Sequence, residues 1–448
     1  TLYTGNGSTG QSITSLQFQP DWLWFKTRSD NRNHAVNDSV RGRSKGVYPD
    51  ATNSEFTDDA GKGLVSFDAN GFTVGDPQNA SSHNKNGQTI VNWAWNAGDT
   101  DSKTYTVKVV SDSGNKYRFN NFGTSAVTLD LAEGGTYTFD GSDSSMSGHP
   151  FVIGTAANGS VYSTGVTYQL DGASVSYSAY TSGYSSASTR KLIITVPASA
   201  PVLYYWCSIH SGMGGQVNTN STLGSSNFDG SKQTVVKANA TAGFSIISYT
   251  GDGSSGATTG HGLGVAPKIM IHKDRDSSNN WYTITTAVDG SADYLYLNLT
   301  NSKADSGVTA PTSNLVYFTA SSESNHNGRN YIMYAFSEVA GYSKFGKYTG
   351  NGNANGAFVF TGFRPAWVML KRTDSGGNWF ILDNKRDPFN EVTKDLYPNT
   401  NGTETDNPSF LDFLSNGFKL RTTGTAVNAG TIIYFAFAES PFKNSRAR

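Results

Sequence analysis

The hydrophobic positions of this chain fall in short runs. Trp22-Leu23-Trp24-Phe25, Ile269-Met270-Ile271-His272 and Trp367-Val368-Met369-Leu370 each follow a proline, at 20, 267 and 365, and each ends in a lysine, at 26, 273 and 371. The proline-to-lysine interval is six residues every time. Such runs predict buried strands, with proline at the start, where its missing N–H does least harm. Eight residues past each lysine stand His34, Trp281 and Trp379.

The same three stretches share further landmarks. Ahead of each proline lies Tyr3-Thr4-Gly5-Asn6-Gly7, Tyr249-Thr250-Gly251-Asp252-Gly253 or Tyr348-Thr349-Gly350-Asn351-Gly352. Each stretch closes on an aromatic-Ala-aromatic strand, Trp93-Ala94-Trp95, Tyr334-Ala335-Phe336 or Phe435-Ala436-Phe437, whose alternation places both rings on one face and leaves room for a facing chain. Asn70-Gly71 and Asn416-Gly417, each flanked by phenylalanines, predict tight hairpins in the first and third stretches, with positive φ supplied by Asn-Gly. Self-similarity at this period assigns β-sandwich repeats to 1–100, 243–343 and 344–448. Each is large enough for its own core, so the expectation is an all-β, multidomain string of sandwiches.

The pattern resembles repeat-bearing virion structural proteins of tailed phages, marine ones especially, in which YTGNG-like openings, FxPxW-like strands and an aromatic-rich final strand recur. Gly260-His261-Gly262-Leu263-Gly264-Val265-Ala266-Pro267, Gly362-Phe363-Arg364-Pro365-Ala366-Trp367-Val368 and the closing Ala438-Glu439-Ser440-Pro441-Phe442-Lys443 carry it most clearly. The resemblance implies a fibre, appendage or capsid-decoration component at the virion surface, extracellular. Its expected partners are other virion proteins and copies of itself.

Residues 103–219 break the repeat pattern, and 220–242 read as a linker or leading strand. Strands are expected at Tyr105-Thr106-Val107-Lys108-Val109-Val110, Thr136-Tyr137-Thr138-Phe139 and Leu192-Ile193-Ile194-Thr195-Val196, spaced as in a Greek-key sandwich. The chain's single cysteine lies in Cys207-Ser208-Ile209-His210-Ser211-Gly212-Met213, so thiolate, imidazole and thioether sit at Cys-x2-His-x2-Met spacing. Soft ligands of this kind with imidazole select copper, and a second histidine is needed. His149, 58 residues before Cys207, precedes the apolar run Phe151-Val152-Ile153. This arrangement resembles plastocyanin-type cupredoxins, which implies His149, Cys207, His210 and Met213 as a type 1 copper site. Zinc fits the Cys-His-His set less well. An unfilled scaffold, with Cys207 a small buried hydrophobe, is the other reading.

Composition narrows the rest. Glycine numbers 49, aromatics reach 12% and charged residues 15%, a balance that suits short strands and turns rather than amphipathic helices. A net charge of −1 without Lys/Arg runs argues against nucleic acid. No apolar stretch is long enough for insertion as a membrane-spanning helix, and Thr1-Leu2-Tyr3-Thr4 has neither region of a signal peptide. One cysteine excludes an intrachain disulfide.

No metalloprotease, serine-hydrolase or phosphate-loop motif appears, and Asp274 with Asp276 lacks the glycine and glutamate of an EF-hand, so the chain reads as no enzyme. The alternative is a carbohydrate-binding host-recognition protein, with His34, Trp281 and Trp379 stacking on host-surface glycans. Exposure of these rings is what that alternative requires. Assembly as a homo-oligomer is expected through exposed strands and aromatic edges.

Overall fold

The computed structural model describes residues 1–76, 82–98, 102–219 and 222–439. Strands make up 43% of the chain and helices 3%, so the fold is mostly β, arranged in several sheets. The closing residues 440–443 singled out above lie outside the described ones.

The chain divides into two compact units. The first comprises Thr1–Ala97, Ala238–Ala257 and His261–Arg448, and the second Gly98–Lys237 with Thr258–Gly260. Most of all three repeat segments lies in the first unit, and Thr258–Gly260 of the second segment lies in the other.

Within that unit the segments share one strand order. Leu2–Thr4, Thr89–Trp95, Trp22–Thr27 and Ala35–Asp38 are neighbours in the first. Phe244–Thr250, Asn330–Phe336, Ile269–Asp274 and Tyr282–Thr285 follow that order in the second, and Ser343–Asn351, Ala429–Phe437, Trp367–Arg372 and Trp379–Asp383 in the third. The proline-led runs occupy interior positions in these sheets and are buried along nearly their whole length. This explains why they read as continuous rather than alternating apolar sequence.

Each run faces two ways. Leu23 and Phe25 pack on Ile13, Leu64 and Phe72 of a second, small sheet in their own segment, and Val368 and Leu370 do the same with Val359, Phe413 and Phe418. The alternate residues Trp22, Trp24, Ile269, Ile271, Trp367 and Met369 line one common apolar space with Trp95, Phe336 and Phe437. Trp95, Phe336 and Phe437 are the last rings of the three closing strands. They form a triangle with centroid separations of 6.4, 5.5 and 5.7 Å. The aromatic edges expected to meet another chain instead meet each other, because rings of this size exposed on three sheets gain most by removing one another from water.

Both hairpins form, but with a different role for glycine. Asp68 pairs with Gly71 and Leu414 with Gly417, so the two-residue loops are Ala69-Asn70 and Ser415-Asn416. A Cβ at Gly71 would lie 1.8 Å from the Ile13 oxygen, and one at Gly417 2.0 Å from that of Val359. Close approach of a neighbouring strand demands glycine there.

The Tyr-Thr-Gly openings are held alike. Tyr3, Tyr249 and Tyr348 donate their hydroxyls to the main-chain oxygens of His83, Ser324 and Val427 at 2.5, 2.7 and 2.6 Å. The residue after each acceptor is a buried asparagine, Asn84, Asn325 or Asn428, whose side-chain oxygen accepts the N–H of Asn6, Asp252 or Asn351. The motif recurs because it anchors a turn.

In the second unit, one sheet runs Asn115–Phe119, Ser102–Ser111, Thr136–Asp140, Arg190–Thr195, Val166–Leu170, Ala173–Val175. The other runs Leu129–Asp130, Gly215–Asn218, Leu203–Cys207, Phe151–Gly154. Tyr105, Tyr117, Phe119, Phe139, Phe151, Leu192 and Tyr205 fill the core between them. The stretch 220–242 contains strands Ser225–Asn227 and Thr234–Asn239, with residues 220 and 221 outside the described ones.

Candidate metal centre

Strand pairing brings the distant histidine to the cysteine. Phe151–Gly154 pairs antiparallel with Leu203–Cys207 in the register Phe151↔Cys207, and Ser208 donates its N–H to the Pro150 oxygen at 3.1 Å. His149, two residues before Phe151, therefore lies across from the start of the Ser208–Met213 loop. The loop turns through Gly212 with positive φ and returns alongside its own strand at Gly214, where a Cβ would lie 1.6 Å from the Tyr205 oxygen.

The result is a compact donor set. Nδ1 of His210 is 3.6 Å from Cys207 Sγ and Nδ1 of His149 is 3.9 Å from it. One ligand atom from each of the three residues lies within 4.8 Å of the others. The imidazole centroids are 4.6 Å apart at an interplanar angle of 46°. Cys207 is buried, His149 half-buried and His210 exposed, and Met213 is buried in the same core as Cys207. Among the described residues this is the one cluster of three or more His, Cys, Asp or Glu side chains able to hold an ion.

Electrostatics favour the ligating form of one ring. Burial first, then the neighbouring His210 imidazole, lowers the His149 pKa from its ordinary value. A neutral imidazole is what a metal needs. A thiol and two imidazoles converging at these distances, with a thioether in the adjoining core, suit a soft or borderline ion such as copper or zinc and suit poorly a hard one such as calcium.

The sugar-stacking candidates fail their requirement. His34, Trp281 and Trp379 are 0, 1 and 0% exposed, and their ring nitrogens are engaged. Trp281 Nε1 donates to the Tyr48 oxygen at 2.7 Å, Trp379 Nε1 to that of Tyr296 at 2.9 Å, and His34 Nε2 lies 3.1 Å from that of Tyr397. Trp24 Nε1 donates to His34 Nδ1 at 2.9 Å, which leaves Nε2 as the protonated nitrogen.

These bonds run cyclically, from the second segment to the first, from the third to the second, and from the first to the third. The lysines follow the same cycle: Lys273 reaches the Thr52 oxygen at 3.0 Å, Lys371 that of Thr300 at 3.1 Å and Lys26 that of Asn401 at 3.2 Å. Every lysine acceptor stands four residues past the tyrosine that accepts the ring bond. The sequence signal that escaped notice is Tyr48-Pro49-Asp50, Tyr296-Leu297-Asn298 and Tyr397-Pro398-Asn399. The third residue of each accepts the main-chain N–H of His34, Trp281 or Trp379 in its own segment.

Two other sequence features prove structural. His261 is buried, accepts the Leu263 N–H at Nδ1 and places Nε2 3.2 Å from the Thr312 oxygen. Asp274, expected in a solvated turn, is buried and accepts from the N–H groups of Asp276 and Ser277, from Asn279 and from Arg329.

No curated protein and no solved structure matches the chain. One family model does, over residues 1–128 and 206–441, so that Cys207, His210 and Met213 fall inside the match and His149 in the stretch between its two parts. The chain therefore belongs to the family described as Domain of unknown function (DUF7483).

Proposed function

We propose that this chain is a structural, non-enzymatic protein of a virion surface. Its three diverged sandwich repeats close into a ring within one chain, and its cupredoxin-like second unit binds copper through His149, Cys207, His210 and Met213. The observation that carries the metal reading is the convergence of two Nδ1 atoms on the buried Cys207 Sγ at 3.6 and 3.9 Å. Strand pairing brings His149 and Cys207 together from 58 residues apart in sequence, and the set matches the donor chemistry of a His2Cys copper centre with axial methionine.

The repeat reading is supported by the shared strand order, the recurring Tyr-Thr-Gly anchor and the cyclic Trp/His-to-Tyr bonds. The structural role is supported by where the conspicuous residues went: the repeated aromatics and lysines are spent on packing and main-chain hydrogen bonds. The virion assignment rests on the motif resemblance. Its partners are then other virion proteins and further copies of the chain.

The test is titration of the reduced, full-length protein with copper, followed in visible absorption and repeated on Cys207→Ser. An intense thiolate-to-copper charge-transfer band in the parent, lost in the variant, is the expected result. No band in the parent would remove the copper reading.

A further inference from the structure

We infer that Lys116 and Tyr117, neighbours on strand Asn115–Phe119, are the positioning residues of the metal centre, and that the Lys116 ammonium biases it toward the singly charged copper ion. The inference rests on the copper reading above and deepens it.

Tyr117 ties together the two separate stretches that carry the ligands. Its N–H donates to the Met213 oxygen at 2.9 Å, and its hydroxyl donates to the His149 oxygen at 2.9 Å. The ring between these bonds is fully buried and stands edge-on to Phe151, centroids 5.2 Å apart, next to the strand pairing that delivers Cys207. The strand itself is fixed by its ladder to Ser102–Ser111, in which Tyr117 pairs with Val109 and Lys116 with Val110.

Lys116 acts one residue away on the same loop. Its Nζ donates to the Gly212 oxygen, the carbonyl immediately before Met213. The side chain thus both anchors the ligand loop and holds a positive charge beside it. A fixed cation disfavours the doubly charged ion more than the singly charged one. The main-chain contacts to Met213, His149 and Gly212 come from two consecutive residues of one rigid strand, so the ligand spacing is set before any metal arrives.

The experiment uses the full-length chain, with copper as the probe, in Tyr117→Phe, Lys116→Met and Lys116→Arg. Tyr117→Phe is expected to weaken copper binding about tenfold and, in the metal-free protein, to speed amide exchange across residues 208–214. Lys116→Met is expected to lower the ratio of Cu(I) to Cu(II) affinity about fivefold, and Lys116→Arg to restore it. An unchanged ratio in Lys116→Met, or Lys116→Arg behaving like it, overturns the charge bias. Unchanged exchange in Tyr117→Phe overturns the positioning role. If the parent chain takes up no copper, the copper reading and the charge bias fall together, and the metal-free exchange still decides the positioning role.

Discussion

The indole Nε1 of Trp379 donates to the main-chain oxygen of Tyr296 across 2.9 Å. Trp281 makes the same bond to Tyr48, and His34 takes the same place against Tyr397. Each bond joins one segment to the segment before it in the cycle, which makes the rings joints rather than surface features.

Replacing either tryptophan therefore costs stability. Trp281→Phe keeps most of the ring and removes the indole's bond to the Tyr48 oxygen, which keeps the Ala51 N–H at 3.2 Å, an expected loss of about 0.5–1.5 kcal/mol. Trp281→Ala adds a cavity and is expected to cost about 3–5 kcal/mol. Urea denaturation midpoints read both, and an unchanged midpoint for Trp281→Ala would contradict the joint.

The repeat lysines predict an unusual alkaline response. Burial depresses Lys26, Lys273 and Lys371 to about 8, from an ordinary 10.5. Between those limits the unfolded chain holds protons that the folded chain has lost, so stability rises with pH from about 8 toward 10.5. Each lysine contributes at most about 1.4 kcal/mol per pH unit, less where solvent screens it. Above about 10 the buried tyrosines, with pKa values raised by burial, act in the opposite sense. Chemical denaturation from pH 7.5 to 9.5 should show the rise, and Lys371→Met, removing the lysine shifted by burial alone, should flatten it.

The asparagine anchors rank by their neighbours. Asn325 Nδ2 donates to Asp252 Oδ1 at 3.0 Å, whereas Asn84 Nδ2 donates to the amide oxygen of Asn6 at 3.2 Å. Asn325→Asp places a carboxylate against a carboxylate and is expected to cost about 2–4 kcal/mol. Asn84→Asp faces a neutral oxygen and should cost less. Equal losses in thermal melts would refute this ordering.

Copper should stabilise the protein by linkage. At a hundredfold excess over the dissociation constant the gain is about 2.7 kcal/mol, appearing as a higher unfolding midpoint that a chelator reverses. Cys207→Ser and His149→Ala should lose it, while Trp281→Phe, in the other unit, should keep it.

Much of the molecule was legible along the chain. The proline-led runs read as strands, since short apolar runs rich in aromatic and β-branched residues and bounded by turn-formers favour a sheet over a helix, and the second unit's strands Ser102–Ser111, Thr136–Asp140 and Arg190–Thr195 cover the stretches expected except Val196. The Cys207–Met213 spacing was readable because the three side chains lie within one short stretch.

The sequence by itself determined the strands, the recurrence of the three motifs and the spacing of Cys207, His210 and Met213, all of which depend on neighbours within a few residues. Only the tertiary structure decided that His34, Trp281 and Trp379 are buried. Their partners are main-chain oxygens, which every residue carries and no side chain announces, and they lie 363, 233 and 83 residues away in sequence. Likewise, the turning of three aromatic strands toward one another rather than toward another chain is a property of how whole sheets cover apolar area, and no single run of residues records it.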